Sequence, residues 1–133
     1  MFAPELLMST PKVLVVDDEP AVLGLVSKAL SARGYEVHAA SDANQALALA
    51  QAMPSFDLLV SDVIMPEMSG PELVQRIAKI CPTIAVVMMS GYLAAEEVPK
   101  RAAFISKPFR MMDLYSTVEN VLALCPDDSE PSP

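Results

Sequence analysis

Lys12-Val-Leu-Val-Val-Asp-Asp-Glu-Pro20 is the stretch that decides the fold. An apolar run of this length, rich in Val and Leu, reads as a buried strand of a parallel sheet. Asp17 and Asp18 follow it at once, and Pro20 then opens a helix, in whose first turn a missing N–H costs nothing. The same grammar returns downstream. Asp62 follows Leu58-Leu-Val-Ser61, Ser90 follows the apolar run Ile84–Met89, and Lys107 follows Phe104-Ile-Ser106. Charges at the carboxyl ends of such strands stand where open α/β sheets bind ligands. Three carboxylates gathered there repel one another unless a cation joins them, so the pattern implies a divalent metal site with a lysine beside it.

Outward from these runs, strands and helices alternate. The first strand, Lys12–Val16, leads into a helix whose apolar face is Val22, Leu23, Leu25, Val26, Ala29 and Leu30, with Gly34 as its left-handed stop. A second strand spans Glu36–Ala40. Asp42 caps the second helix, Gln45 completes a capping-box pattern, and Pro54 requires the helix to stop before it. Strand three, Asp57–Asp62, is followed by Ser69-Gly70-Pro71, which opens a helix over Glu72–Ile80. Strand four, Ile84–Met89, is apolar throughout and is expected to be central in the sheet. Strand five is Ala103–Ser106, and the last helix spans Arg110–Leu124. This alternation predicts a parallel α/β sheet with right-handed crossovers. One segment breaks the rhythm: only Gly91–Ala102 is available for a fourth helix and its loops, and Pro99 falls inside it. The fourth helix is expected to be short or distorted, about two turns from Leu93 to Val98.

Composition narrows the function classes. The 133 residues suit one domain, and 53% hydrophobic content with 5% aromatics leaves Ala, Val, Leu and Met to fill the interior. A net charge of −8 argues against a nucleic-acid partner, which needs a basic footprint. Cys81 and Cys125 lack metal or redox spacing and read as small hydrophobes in a reducing cytoplasm. Met1–Met8 has no basic n-region, and no apolar run approaches the ~18 residues of a membrane span, so a cytoplasmic location away from membranes is expected. Residues 1–11 read as a flexible leader, and the acidic, proline-rich stretch 126–133 as a disordered tail.

The chemistry follows from the charged strand ends. Mg²⁺ takes oxygen ligands and keeps several waters. Asp18 and Asp62 can ligate it directly, Asp17 directly or through a water, and a backbone carbonyl in the loop after Asp62 can add another ligand. One carboxylate can attack phosphorus to make an aspartyl-phosphate, and Asp62, alone at its strand end, is the best placed. Phosphoryl transfer is mainly positioning and charge neutralisation. Lys107 would pair with the phosphoryl oxygens, Ser90 would offer a hydroxyl, and Gly91 lets backbone approach closely. Singly, each feature has a plainer explanation, such as a solvated turn or a helix N-terminal preference for acids. All of them at the ends of strands one, three, four and five point to one site.

Val15-Val-Asp-Asp-Glu-Pro20, Ser61-Asp-Val-Ile-Met-Pro-Glu-Met-Ser-Gly70, Met89-Ser-Gly-Tyr92 and Ser106-Lys-Pro-Phe109 together resemble the receiver domain of two-component response regulators. The resemblance covers residues 12–125. Pro66–Leu73 and Met89–Tyr92 are similar in wording to receivers of hybrid sensor histidine kinases. It implies a flavodoxin-like, doubly wound five-stranded parallel sheet of order 2-1-3-4-5. It also implies a phosphorylation-controlled switch that takes a phosphoryl group on Asp62 from a histidine kinase or phosphotransfer protein, with Mg²⁺. Asp17 and Asp18 become the acidic metal pair, and Ile64 gives its backbone carbonyl to the metal. Ser90 becomes the switch hydroxyl, and Lys107 binds the phosphoryl group before a cis bond to Pro108. Phe104 becomes the switch aromatic, with a core residue as the plainer alternative. A downstream protein effector and a monomer, or a weak phosphorylation-dependent dimer, follow from the same resemblance. So does a protein that modifies itself and turns over no external substrate.

Departures from the pattern matter too. The short fourth helix alters the face through which receivers often meet partners. Ile64 and Tyr92, beside the site, offer no acid or amide to orient a water, which implies a long-lived phosphate. His38, the only histidine, reads as a surface strand residue, and no helix carries a phosphorylatable His. Two rival functions are an aspartate-nucleophile phosphohydrolase and a phosphorylation-independent receiver-fold protein-binding module. The first asks for Asp-x-Asp after strand one and a cap domain, whereas Asp17 and Asp18 are adjacent.

Overall fold

Apolar strands with alternating side chains need cover on both faces, and the chain provides it by winding helices to either side of one sheet. The structure is a computed structural model in which residues 10–90 and 102–123 are described. In chain order the elements are β1 (Lys12–Val16), α1 (Pro20–Ala32), β2 (Glu36–Ala40), α2 (Ala43–Ala52), β3 (Leu58–Asp62), α3 (Gly70–Ile80), β4 (Ala85–Ser90), β5 (Ala102–Ser106) and α4 (Met111–Ala123). Helix α4 is the one that the sequence counts as its fifth. The expected short helix from Leu93 to Val98 lies outside the described residues, as do Gly91, Tyr92, residues 1–9 and residues 124–133.

The five strands are parallel in the order β2-β1-β3-β4-β5. The middle place belongs to β3, buried at every residue, and not to β4 as its apolar run suggested. Strand β4 is still interior, between β3 and β5; an apolar run reports burial on both faces, which any interior strand has. Leu14, Val16, Leu59, Val86 and Met88 pack with Ala43, Ala46 and Ala50 of α2 and Leu73 and Ile77 of α3. On the other face Val13, Val15, Leu58, Val60, Val87 and Met89 pack with Val26 and Leu30 of α1 and Leu114 and Val118 of α4. Full burial of each such Val or Leu is worth roughly 1.5–3 kcal/mol. Tertiary packing, not intrinsic propensity, therefore holds these short helices in place.

Local signals set the helix ends. Gly34 has φ 96°, and the amides of Gly34 and Tyr35 donate to the carbonyls of Ser31 and Leu30 at 3.0 and 3.2 Å, closing α1 in a Schellman motif. Asp42 Oδ1 accepts from the Gln45 amide at 2.8 Å, as the capping pattern requires. The return bond runs from the Ser41 amide to Gln45 Oε1 at 3.0 Å, one residue earlier than in a standard capping box. At the same end of α1 as Gly34, Arg33 pairs with Glu119 at 3.0 Å and lies 4.1 Å from the Tyr115 ring centre, tying α1 to α4. His38 is half-buried rather than fully on the surface, edge-on to Phe56 at 5.5 Å and 2.8 Å from Glu36 Oε2.

Ser69 caps α3 through a 3.2 Å bond from the Glu72 amide. Gly70 then brings the helix hard against the end of β3. A Cβ there would overlap the Asp62 carbonyl oxygen and Met88 Cε, and would stand 2.9 Å from Val63 Cα. Its amide donates to the Val63 carbonyl at 2.7 Å. Gly24 is the contrary case, inside α1 with nothing within 4 Å of a Cβ. Urea unfolding should therefore move in opposite directions: Gly70→Ala destabilises by about 1–3 kcal/mol through overpacking, and Gly24→Ala stabilises by about 0.5–1 kcal/mol.

Candidate functional site

Parallel pairing brings residues distant in sequence to one edge of the sheet. The register aligns Val16 with Ser61, Asp62 with Met89, and Ser90 with Ser106. Asp17, Asp62, Ser90 and Lys107 thus occur at the carboxyl ends of β1, β3, β4 and β5. One carboxylate oxygen from each of Asp17, Asp18 and Asp62 lies within 4.8 Å of the other two. Asp17 and Ser90 are buried, Asp62 is 9% exposed, and Asp18 faces solvent.

Lys107 holds the cluster together. Its Nζ donates to Asp17 Oδ2 at 2.9 Å and stands 3.5 Å from Asp62 Oδ2. Asp17 Oδ1 accepts from the Glu19 amide at 2.9 Å, so both Asp17 oxygens are engaged. Asp62 is held more loosely, its Oδ1 receiving the Ile64 amide at 3.4 Å. The Lys107 amide donates to the Ser90 carbonyl at 2.7 Å, which locks the start of the β5–α4 turn to β4. The Lys107–Pro108 peptide is cis, as the resemblance implied.

Electrostatics follow the geometry. Burial pushes the Asp62 carboxyl above its ordinary 3.8, with Asp17 adding to the effect and Lys107 and the Ile64 amide partly offsetting it. Burial alone would lower the Lys107 pKa. Its hydrogen bond to Asp17 and the charges of Asp17 and Asp62 outweigh that, and it is raised above 10.5. Three carboxylates against one ammonium leave an excess of two negative charges, which a divalent cation would neutralise. All-oxygen donors, with Asp18 open to solvent, suit a hard ion such as Mg²⁺.

The remaining expected residues are placed as follows. Ile64 presents a side chain that is 54% exposed next to Asp62. Phe104 is in register with Met88 and half-buried against the apolar layer under α2 and α3. Two contributors passed unnoticed in the sequence. Gly70 read only as a helix opener, and Ser61 only as the last residue of an apolar run. A hydroxyl among Leu58, Leu59 and Val60 was the available signal for the second.

Residues 13–119 match the family model for the response regulator receiver domain. The chain belongs to the response regulator receiver family. Sensor kinase CckA of Brucella abortus is 38% identical over 122 residues, covering 87% of this chain but 13% of the kinase. The response regulator receiver protein CpdR of the same organism is 32% identical, covering 84% of this chain and 96% of that protein. DNA-binding transcriptional regulator NtrC of Azospirillum brasilense is 35% identical, with 25% of its length matched. Among solved structures, chemotaxis protein CheY4 of Vibrio cholerae superposes with a TM-score of 0.80 at 32% identity, covering 85% of this chain and 99% of that one. The receiver domain of hybrid histidine kinase CckA gives 0.76 at 37% identity, covering 84% and 98%.

The receiver is a phosphoryl-accepting switch of two-component signalling, and its sheet order is that of its CheY-like neighbours. The phosphohydrolase and phosphorylation-independent readings are not favoured. No helix among the described residues is long and apolar enough to cross a membrane.

A raised Asp62 pKa means that the folded receiver binds that proton more tightly than the unfolded chain does. Ionising Asp62 therefore costs native stability, fully above the raised pKa and not at all below 3.8. Without divalent cations, Asp62→Asn should melt at a higher temperature than wild type at pH 7. The gap should close as the pH is lowered toward 3.8, which thermal melts across pH will check.

Proposed function

We propose that Asp62 is the phosphoacceptor of this receiver, served by Lys107 and Ser90, in a Mg²⁺-dependent transfer from a histidine kinase or phosphotransfer protein. The observation that carries the reading is the Lys107 ammonium placed between Asp17 and Asp62, with Asp18 in the same carboxylate cluster. Asp17, Asp18 and Asp62 would hold the ion, with the Ile64 carbonyl as a further oxygen donor. Bound Mg²⁺ would supply positive charge that quenches repulsion between these carboxylates and the incoming phosphoryl oxygens.

The transfer itself belongs to the side chains. An Asp62 carboxylate oxygen forms the new bond to phosphorus as the bond from phosphorus to the donor nitrogen breaks, and the leaving imidazole takes a proton from solvent. Asp62 attacks as the carboxylate, so its raised pKa must still lie below the working pH. Lys107 already reaches toward Asp62 and would turn its ammonium to a phosphoryl oxygen, while Asp17 keeps the other end of the charge pair. Ser90, one residue past the partner of Asp62 in β4, would bring its hydroxyl to another phosphoryl oxygen. Phe104 would pass that movement to the surface through its half-buried ring. Ile64 offers no hydrogen-bonding side chain for a hydrolytic water, which favours a persistent phosphate.

The product is a modified receiver read by a protein effector, with no external substrate turned over, and the working compartment is the cytoplasm. Incubation with acetyl phosphate and Mg²⁺, followed by intact mass, tests the assignment. Wild type should gain one phosphoryl group. Asp62→Asn should gain none, and chelation should abolish labelling. Lys107→Ala should slow labelling about 10²-fold, the scale of losing one placed cation at a developing charge. Wild-type labelling of Asp62→Asn would remove the assignment.

A further inference from the structure

We infer that the Ser61 hydroxyl is a positioning group for phosphoryl acceptance, fixing the Asp62 main chain so that its carboxylate is aimed at the donor. The inference rests on Asp62 being the phosphoacceptor. Ser61 is 0% exposed, within an otherwise apolar strand interior. A hydroxyl is costly to bury without a partner, and Val at this position would suit a fully buried strand better. Its Oγ does have a partner: it donates to the Asp62 carbonyl oxygen at 2.9 Å.

That carbonyl is a sensitive point. The pairing of β1 with β3 ends at Val16 and Ser61, so Asp62 lies one residue beyond the β1 register. The same oxygen faces Gly70, where a Cβ would overlap it. The same Asp62–Val63 peptide is held from its other side by the Val63 amide on the Met89 carbonyl at 2.8 Å, and the next peptide by the Gly70 amide on the Val63 carbonyl at 2.7 Å. Among the described residues the Asp62 side chain, by contrast, meets the Ile64 amide at 3.4 Å and Lys107 at 3.5 Å. Bonds this long do not set a direction tightly. The aim of the carboxylate must therefore come from the main chain, and Ser61 is the side chain that grips it. In-line attack needs reacting atoms about 3–3.5 Å apart, and a misplacement of about 1 Å can cost about 10²-fold, so a modest loosening is visible in rate.

The test uses the full chain with acetyl phosphate as donor, measuring initial labelling rate against Mg²⁺ concentration. Ser61→Ala should lower the rate at saturating Mg²⁺ about tenfold, the scale of one hydrogen bond. The Mg²⁺ concentration at half-maximal rate should not change. Ser61→Thr, which keeps the hydroxyl, should recover most of the rate. Ser61→Cys, close in size but a weak donor, should behave like Ser61→Ala even where the extra methyl of Thr prevents folding. A wild-type rate in Ser61→Ala or Ser61→Cys overturns the inference, as does an equal loss in a folded Ser61→Thr. Asp62→Asn separates the two levels: unlabelled, it leaves the phosphoacceptor assignment standing while Ser61 is judged; labelled, it removes that assignment first.

Discussion

Everything at the working end of this receiver depends on keeping Asp17 and Asp62 close together out of water. Two buried carboxylates at that separation repel, and Lys107 makes the arrangement tolerable by standing 2.9 Å from one and 3.5 Å from the other. Its compensation is incomplete. Asp62 still sits above its ordinary pKa, and Asp18 adds a further negative charge at the solvent side. The cluster is short of positive charge, the condition under which a divalent cation and a phosphoryl group can be accommodated together.

That constraint explains the architecture around it. Asp17, Asp62 and Lys107 come from β1, β3 and β5, and only a parallel sheet brings the carboxyl ends of all three to the same edge. The central strand, β3, carries Asp62, so the proposed phosphoacceptor has an interior strand on each side of it. Gly70 lets α3 start against the Asp62–Val63 peptide, and the Ser61 hydroxyl holds the carbonyl within that contact. The scaffold is tight where it meets the Asp62 main chain and loose where it meets the carboxylate. A loosely held carboxylate on a fixed stem suits the proposed change from an ion-paired anion to an acyl phosphate.

Much of this was legible in the chain. The Val13–Val16 and Leu58–Ser61 runs are buried on both faces, and their lengths set the strands to within a residue. Gly34 and Asp42 set helix ends because their bonding is local, between residues three to five positions apart. The carboxylates and the lysine were found because charge at the end of an apolar run is conspicuous. The strand-end pattern put a lysine beside the carboxylates, but the specific bond was not legible: Lys107 and Asp17 are 90 positions apart, and nothing in either neighbourhood says which carboxylate the ammonium takes. The apolar character of Ile84–Met89 could not tell the middle strand from its neighbour, since both are covered on two faces. Gly70 looked like a turn residue because the atoms that exclude a side chain there belong to Asp62, Val63 and Met88. Ser61 shows the same limit, since its hydroxyl acts on a main-chain atom.

Residue-level mapping of the acyl phosphate tests the central assignment most directly. The full chain, treated with acetyl phosphate and Mg²⁺, is reduced with borohydride, which converts a phosphorylated aspartate into homoserine, and the peptides are sequenced by mass spectrometry. The expected result is conversion at Asp62 alone, absent when Mg²⁺ is chelated. Conversion at Asp17, at Asp18 or at any other carboxylate would contradict the assignment of the nucleophile, and so would no conversion in a folded protein at saturating Mg²⁺.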